Sequence, residues 1–360
     1  MARANLPIRI SLQQPGPGHY ILFDAATKKT YPLQWEDAET AWFIFSDSLP
    51  KGSQRKLKIK KSSDPPITAV TLTRNEQGVM ARNKGRNVFF YQSATAMPPA
   101  DSPAYYQGSG YIHPLYSPAG KIMTEDFPGT HAHHHAIFHA WSNTRFRNRH
   151  VDFWNQQKKE GTVKHNGVVA MKEGPVFAEL VTGQDYISLA DGAVLREKWT
   201  IRCYALNGPF MFDVKVEQIN ITDDSLYLDK YLYGGMAFRG TRHWDPHNTK
   251  AFQNNWNVLT SEGFRDSAAN HTPARWVTSF GNIDGSAAAV TIFSHPSNFR
   301  YPQKIRVHPD MPYWVYSPVT DLPFVIPPAG SYKARYRYYV SDSKPDEIRL
   351  REIDHYWLIN

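Results

Sequence analysis

The stretch "FMFDVKVEQI", Phe210–Ile219, decides the fold. Phe212, Val214 and Val216 alternate with Asp213, Lys215 and Glu217. A period of two sends the first set to one face of a strand and the second to the other. The same alternation recurs in "YKARYRYYV", where Lys333, Arg335 and Arg337 interleave with Ala334, Tyr336 and Tyr338. Working outward, "PIRISL", "HYILFDA", "PITAVTLT" and "NVFFYQ" read as early strands, and "PVFAELVTGQDYIS", "VLREKWTIRCYA" and "LYLDKYLYGGMAFR" as middle ones. "SAAAVTIFSH", "QKIRVHP" and "MPYWVYSP" follow late in the chain. The 26 prolines and 22 glycines fall mostly between these runs, as turn residues do. The expectation is an all-β chain: a large antiparallel β-sandwich with few helices.

One helix is predicted, "SKPDEIRLREIDHYW", at 343–357. Ser343 or Asp342 can cap it, Pro345 stands near its first turn, and Asp346 and Glu347 suit its positive end. Leu350, Ile353 and Trp357 form one apolar stripe, so the helix should dock on the outside of a sheet. The Pro/Ala/Ser-rich segment 94–110 reads as a long loop. It divides an N-terminal β region at 1–93, packed on the main body, from a sandwich at 94–342 and the C-terminal helix at 343–360.

Composition excludes several classes. The 360 residues carry a formal net charge of +8, but the basic residues do not form one block. The densest run, "RKLKIKK" at 55–61, alternates Leu57 and Ile59 with lysines and reads as a guarded edge strand. No nucleic-acid partner is expected. No apolar run nears the ~18–20 residues of a membrane helix, so no membrane partner is expected either. The single cysteine, Cys203, allows no intrachain disulfide and no cysteine-based zinc site. As it stands the sequence reads as cytoplasmic, or periplasmic if a signal peptide has been removed. The oligomeric state is not legible.

The chemistry gathers in "THAHHHAIFHAW", 130–141, with five histidines in nine positions. On a strand, His131, His133 and His135 would share a face at about 6.5–7 Å spacing and could chelate a divalent metal. The alternatives are histidines that only hydrogen-bond each other and the backbone, or imidazoles that serve a hydroxyl-rich ligand. Histidine exchanges protons near neutral pH, which suits acid/base work on a sugar. Aromatics are abundant, at 14%, and can pack on sugar C–H faces. "VDFWN" sets Asp152 beside Trp154, which is either core or sugar platform. "YGGMAFR" supplies Tyr233 and Arg239, the latter as ligand group or structural ion pair. Its two glycines mark either a bulge or a close backbone approach. "SHPSN" supplies His295 and Asn298, and "RHWDPHN" adds His243, Asp245 and His247 on an exposed loop or a second metal site.

The ordered series "YIHPLYSPAGKIMTEDFPGTHAHHHAIF", "VDFW", "YGGMAFR" and "FSHPSNFRYP" resembles the PmoA-type, methane oxygenase-labelled family, over roughly 90–340. The usual member has Arg after its paired histidines; here that place holds His135, or Ala136 if the pairing shifts by one. The resemblance implies a galactose-mutarotase-like supersandwich and a carbohydrate-related role in bacterial sugar catabolism. By that resemblance the catalytic pair His133 and His134 supplies the acid that protonates a ring or glycosidic oxygen; for the base, Asp152 is the first choice among the carboxylates, with Glu173 and Glu179 as alternatives. His113, Trp154, Tyr233, Arg239, His295 and Asn298 would bind a small-molecule carbohydrate. The implied activity is epimerase, lyase or hydrolase chemistry on a sugar or oxidised sugar. A noncatalytic carbohydrate-binding protein is the alternative, or a metal-dependent oxygenase as the family label suggests. His113, His133, His134, Asp152, Trp154, Arg239 and His295 are expected to converge in one cleft.

Overall fold

A computed structural model of the chain describes residues 5–50 and 52–358. Two eight-stranded antiparallel sheets dominate it. The first runs, in spatial order, Ile305–Val307, Tyr313–Tyr316, Gly234–Arg239, Ile137–Trp141, Tyr111–Leu115, Arg86–Gln92, Gly78–Asn83, Val70–Arg74. The second runs Gly161–Lys172, Phe177–Ser188, Gly192–Tyr204, Phe210–Asn220, Ser331–Ser341, Ser286–Ser294, Trp276–Ile283, Asn257–Thr260. The sheets face each other across one apolar core. Phe89 meets Phe212 with ring centroids 5.1 Å apart, and Tyr316 stacks on Tyr336 at 5.4 Å. The alternation of the decisive strand holds: Phe212, Val214 and Val216 are fully buried in this core. A four-stranded sheet adds Phe146, Val151, Leu226, Leu228 and Ile326 to it.

The core also holds a polar knot. His139 Nδ1 lies 2.8 Å from Glu197 Oε2 and 2.9 Å from the Tyr186 hydroxyl. Gln218 donates to Glu197 Oε2 at 2.6 Å, and the Trp199 indole donates to Oε1 at 2.6 Å. Trp141 in turn donates to Gln218 at 2.9 Å. Both oxygens of the Glu197 carboxylate have donors, which is what makes a buried acid tolerable.

The outer face of the second sheet is covered by the C-terminal helix, Glu347–Leu358. Leu350, Ile353 and Trp357 are buried there, with Tyr204, Met211, Trp276 and Phe293 of the sheet. The cap differs from expectation. Asp346 Oδ1 accepts from the N–H groups of Ile348 and Arg349, so Asp346 is the N-cap. Asp342 instead accepts from the Ala119 N–H at 2.7 Å, four residues earlier in the chain than the cap.

Residues 5–62 form two three-stranded sheets around Tyr20, Leu22, Tyr31, Phe43 and Phe45. Leu57–Ser62 is an edge strand with Lys58, Lys60 and Lys61 exposed. Gln34 pins this region to the second sheet, donating to the Phe177 carbonyl and accepting from Val176 and Phe177 N–H. The strands from Val70 to Gln92, however, belong to the first large sheet, so that sheet runs across residue 93. Cys203 is buried in the second sheet.

Candidate functional site

The histidine run is not a strand. His131 N–H donates to Pro128 O and His134 N–H to His131 O, each at 2.9 Å, so 128–134 makes successive turns. After one isolated bridge between His135 and Asp126, a strand resumes at Ile137. The zigzag that would align His131, His133 and His135 is therefore absent. The turns gather three rings instead: His133 and His134 centroids are 4.5 Å apart, and His131 lies 5.5 and 5.2 Å from them. His135 points away from that group. Its Nδ1 lies 2.9 Å from Asp126 Oδ1 and its Nε2 3.2 Å from Gln156 Oε1. The backbone of Gly108, in the long loop, lies so close to the His135 ring that a Cβ there would be 2.8 Å from it. Asp126 also accepts from the Tyr111 hydroxyl at 2.5 Å. With both ring nitrogens engaged, His135 is a fixed support for the turn. Among the described residues no set of three or more His, Cys, Asp or Glu side chains is arranged to hold a metal ion.

The turn rests on the outer face of the first sheet. Register makes this explicit: Phe138, Ala237 and Val315 share that face, while Ile137, Phe238 and Trp314 face the core. Tyr313 and Arg239, paired in register, extend the outer row. His134 stacks on Tyr313 at 4.1 Å and is 3% exposed, with no partner for its Nδ1. A cavity of about 250 Å³ opens beside it. Its walls are the imidazoles of His131, His133, His134 and His308, the rings of Tyr231, Tyr233, Tyr313 and Trp154, and the amides of Asn155 and Gln157. His308 Nδ1 stands 2.7 Å from Asp310 Oδ1, and Asp310 Oδ2 is 3.5 Å from His247 Nε2.

Electrostatics keep these rings neutral. Burial, then His131, His135 and Arg239, pull the His133 pKa down to about 3. Burial drives His134 well below its usual value, with His133 and Arg239 adding to it. His131 and His308 are also lowered, first by burial. Tyr233 and Tyr313 are raised by burial. At neutral pH each imidazole thus offers one donor and one acceptor.

The other expected site residues divide. Trp154 and Tyr233 line the cavity, Trp154 with its ring edge-on to Phe138 at 4.6 Å and mostly buried. His113 lies near the turn but not on the cavity, with Nδ1 3.0 Å from Thr124 Oγ1 and a pKa lowered by burial. Arg239 is fully buried and ion-paired with Glu125 and Asp245, beneath the histidines rather than in the cavity. Gly235 sits at φ +120, and a Cβ there would be 2.3 Å from Tyr316 O, so the glycine serves strand–strand approach.

Asp152 is fully buried and accepts from Trp154 and Asn155 N–H, the Asn155 amide and Lys158 Nζ. It staples its own loop and has no lone pair turned to the cavity. Glu173 accepts from Leu72 N–H, and Glu179 pairs with Arg202 on the other sheet. His295 packs edge-on to Trp357 of the helix, with ring centroids 4.8 Å apart. It therefore lies on the outer face of the second sheet, across the sandwich from His133, and the expected single cleft does not include it. Asn298 is spent on Ser294 and the Arg335 backbone. His243, with Nδ1 3.0 Å from the Ala251 carbonyl, holds its own loop. His308, Tyr231, Tyr313, Asn155 and Gln157 were not singled out by the sequence. Their only signals are the His of "VHP" and the Tyr of "MPYW", which alternation alone treats as ordinary strand positions.

Residues 79–355 match the family model of DUF6807, described as a family of unknown function. The chain belongs to the DUF6807 family. This corrects the PmoA-type assignment: the ordered motif series from "YIHP" to "FRYP" falls inside the DUF6807 match. No curated protein matches in sequence. Among solved structures, the chain is similar to the GH36 α-galactosidase AgaB from Geobacillus stearothermophilus, at 12% identity and a TM-score of 0.35, over 77% of this chain and 40% of that one. It is likewise similar to AgaA from the same organism, at 12% identity and TM-score 0.32, over 76% and 41%. An AgaA variant in complex with stachyose gives 12% and 0.33, over 76% and 41%. The chain thus spans about two fifths of the length of these enzymes, and a likeness at this level has no bearing on activity. Among the described residues no helix is long and apolar enough to cross a membrane.

Proposed function

We propose that this DUF6807 chain takes a small carbohydrate into the cavity on the outer face of its first sheet and acts on it through its imidazoles. The observation that carries this reading is the wall itself: four neutral imidazoles opposite tyrosine and tryptophan rings. Hydroxyl groups both donate and accept, and so does a neutral imidazole. At about 250 Å³ the space is below the ~300–1,000 Å³ of drug-sized pockets, which suits one sugar ring. The best proton carrier is His308, because among the cavity imidazoles it alone stands beside a carboxylate, its Nδ1 2.7 Å from Asp310 Oδ1. His133 and His134, with their depressed pKa values, are hydrogen-bond partners rather than general acids at neutral pH. A binding protein without turnover is the second reading, favoured because no carboxylate lines the cavity among the described residues.

Calorimetric titration with monosaccharides, their 3-keto derivatives and their uronic acids tests the proposal. Saturable binding that is lost in a His133→Ala/His134→Ala variant with a native spectrum is expected. Conversion of the bound sugar, followed by NMR, separates enzyme from binding protein. If no sugar in the panel binds, or the double variant binds as well as the parent, the reading falls.

A further inference from the structure

A second cavity, of about 360 Å³, lies on the other side of the segment Arg306–Asp310. The two cavities share one residue, His308. The partition between them is thin: the Arg306 guanidinium sits 5.3 Å from the Tyr233 ring, which lines the first cavity, while Arg306 itself lines the second. The second cavity has the same chemistry in a different key. Trp256 gives a half-buried aromatic wall, and Asn255, Ser267, Asn270, Arg306 and Asp310 give donors and acceptors. The Nε of Arg306 is buried and has no partner. The loop containing Asp245 and His247 closes this side: Pro246 lines the second cavity and His247 reaches Asp310.

We propose that the two cavities are adjoining subsites and that the ligand is a two-ring glycoside, one ring in each cavity, with the linkage beside His308. This rests on the carbohydrate reading of the first cavity. Three observations favour a linked pair over two unrelated hollows. The cavities meet at His308, which among the imidazoles of the first cavity is the one with a carboxylate beside it. Each has room for about one ring and an aromatic wall to pack it on. Arg306 packs over the Tyr233 ring of the first cavity and itself lines the second. In such an arrangement the second ring contributes affinity only when joined to the first, because the link makes its binding intramolecular.

The test compares glucose and galactose with maltose, cellobiose, lactose and sucrose by calorimetry on the full chain. At least one disaccharide should bind about tenfold or more tightly than its component monosaccharide, about the loss expected when one well-packed aromatic contact is removed. In Trp256→Ala that ratio should collapse towards one. Ser267→Trp, on an exposed residue of the second cavity, should collapse it too by filling the space, and serves if Trp256→Ala misfolds. Equal affinity for mono- and disaccharides, or a ratio unchanged in Ser267→Trp, overturns the two-subsite proposal and leaves the first cavity's role standing. Failure of every sugar to bind overturns both.

Discussion

His133 and its neighbours make the protein's stability depend on pH in a definite direction. Unfolded, a histidine titrates near 6.5. Folded, His133 titrates at about 3 and His295 at about 4, and His134, His131, His113 and His308 are lowered as well. Above pH ~6.5 neither state holds these protons, so they cost nothing. As pH falls through that value the unfolded chain takes them up first, and stability drops until the folded values are reached. Urea unfolding at pH 7, 5.5 and 4.5 should give falling midpoints, and His133→Gln should flatten the slope. A midpoint that rises on acidification would contradict it. Arg239 makes a second residue-scale prediction. Arg239→Met strands Glu125 and Asp245, both buried, and should destabilise by ~3–5 kcal/mol in the same assay. A loss under ~1 kcal/mol would mean that these carboxylates find other partners. At this scale the sequence was only half legible. Residue type pointed to His131, His133, His134, Trp154 and Tyr233, which line the cavity, because imidazole density and aromatics near a turn are visible in a string of letters. Commitment was not visible: Asp152 and Asn298 look available until their partners are seen, and for Arg239 the ion pair was one of two readings.

Among the elements, the C-terminal helix is the most dependent on a few contacts. Trp357 is buried against the second sheet, with the Arg337 guanidinium 4.1 Å from its ring. Trp357→Ala should cost ~3–5 kcal/mol, as large buried aromatics do when truncated. Asp346→Ala should cost ~1 kcal/mol, whereas Ser343→Ala should be nearly silent. Denaturant midpoints of the three variants check the order; a larger loss at Ser343 than at Asp346 would restore the earlier cap. The apolar stripe was legible because a period of 3.6 survives in sequence. The start was not, since three of the five positions from Asp342 to Asp346, namely Asp342, Ser343 and Asp346, carry side chains able to cap a first turn. The histidine run failed for a related reason. Pro128 and Gly129, which flank the run, announce turns to which strand spacing does not apply, and two successive turns bring rings together in a way no period describes.

For the molecule as a whole, the sandwich should dominate the far-UV spectrum, with the 12-residue helix a minor term. Helical content near the ~one third typical of globular proteins would contradict it. The first sheet also fixes where the chain can be cut. Removing residues 1–93 takes away the three strands between Val70 and Gln92 and leaves Tyr111–Leu115 without a neighbour on that side. Such a truncation should be insoluble or lack a cooperative melt, and a folded, cooperatively melting product would show that those strands are dispensable. Fold class was legible because alternation repeats over many strands. Strand order was not, because Gly234–Arg239 pairs with Ile137–Trp141 and with Tyr313–Tyr316, partners about 75 to 100 residues away that no local pattern names.

The polar knot at His139 has a consequence of its own. The proton on its Nδ1, a nitrogen 2.8 Å from Glu197 Oε2 and buried between the two sheets, has no route to bulk water while they stay together. Amides at strand ends trade their hydrogens through local fraying, but this one must wait for the sheets to part. In a proton NMR spectrum it should stand far downfield and outlast nearly every other labile signal in deuterium oxide. Its decay would time the opening of the whole sandwich, one molecule-wide event read from a single hydrogen.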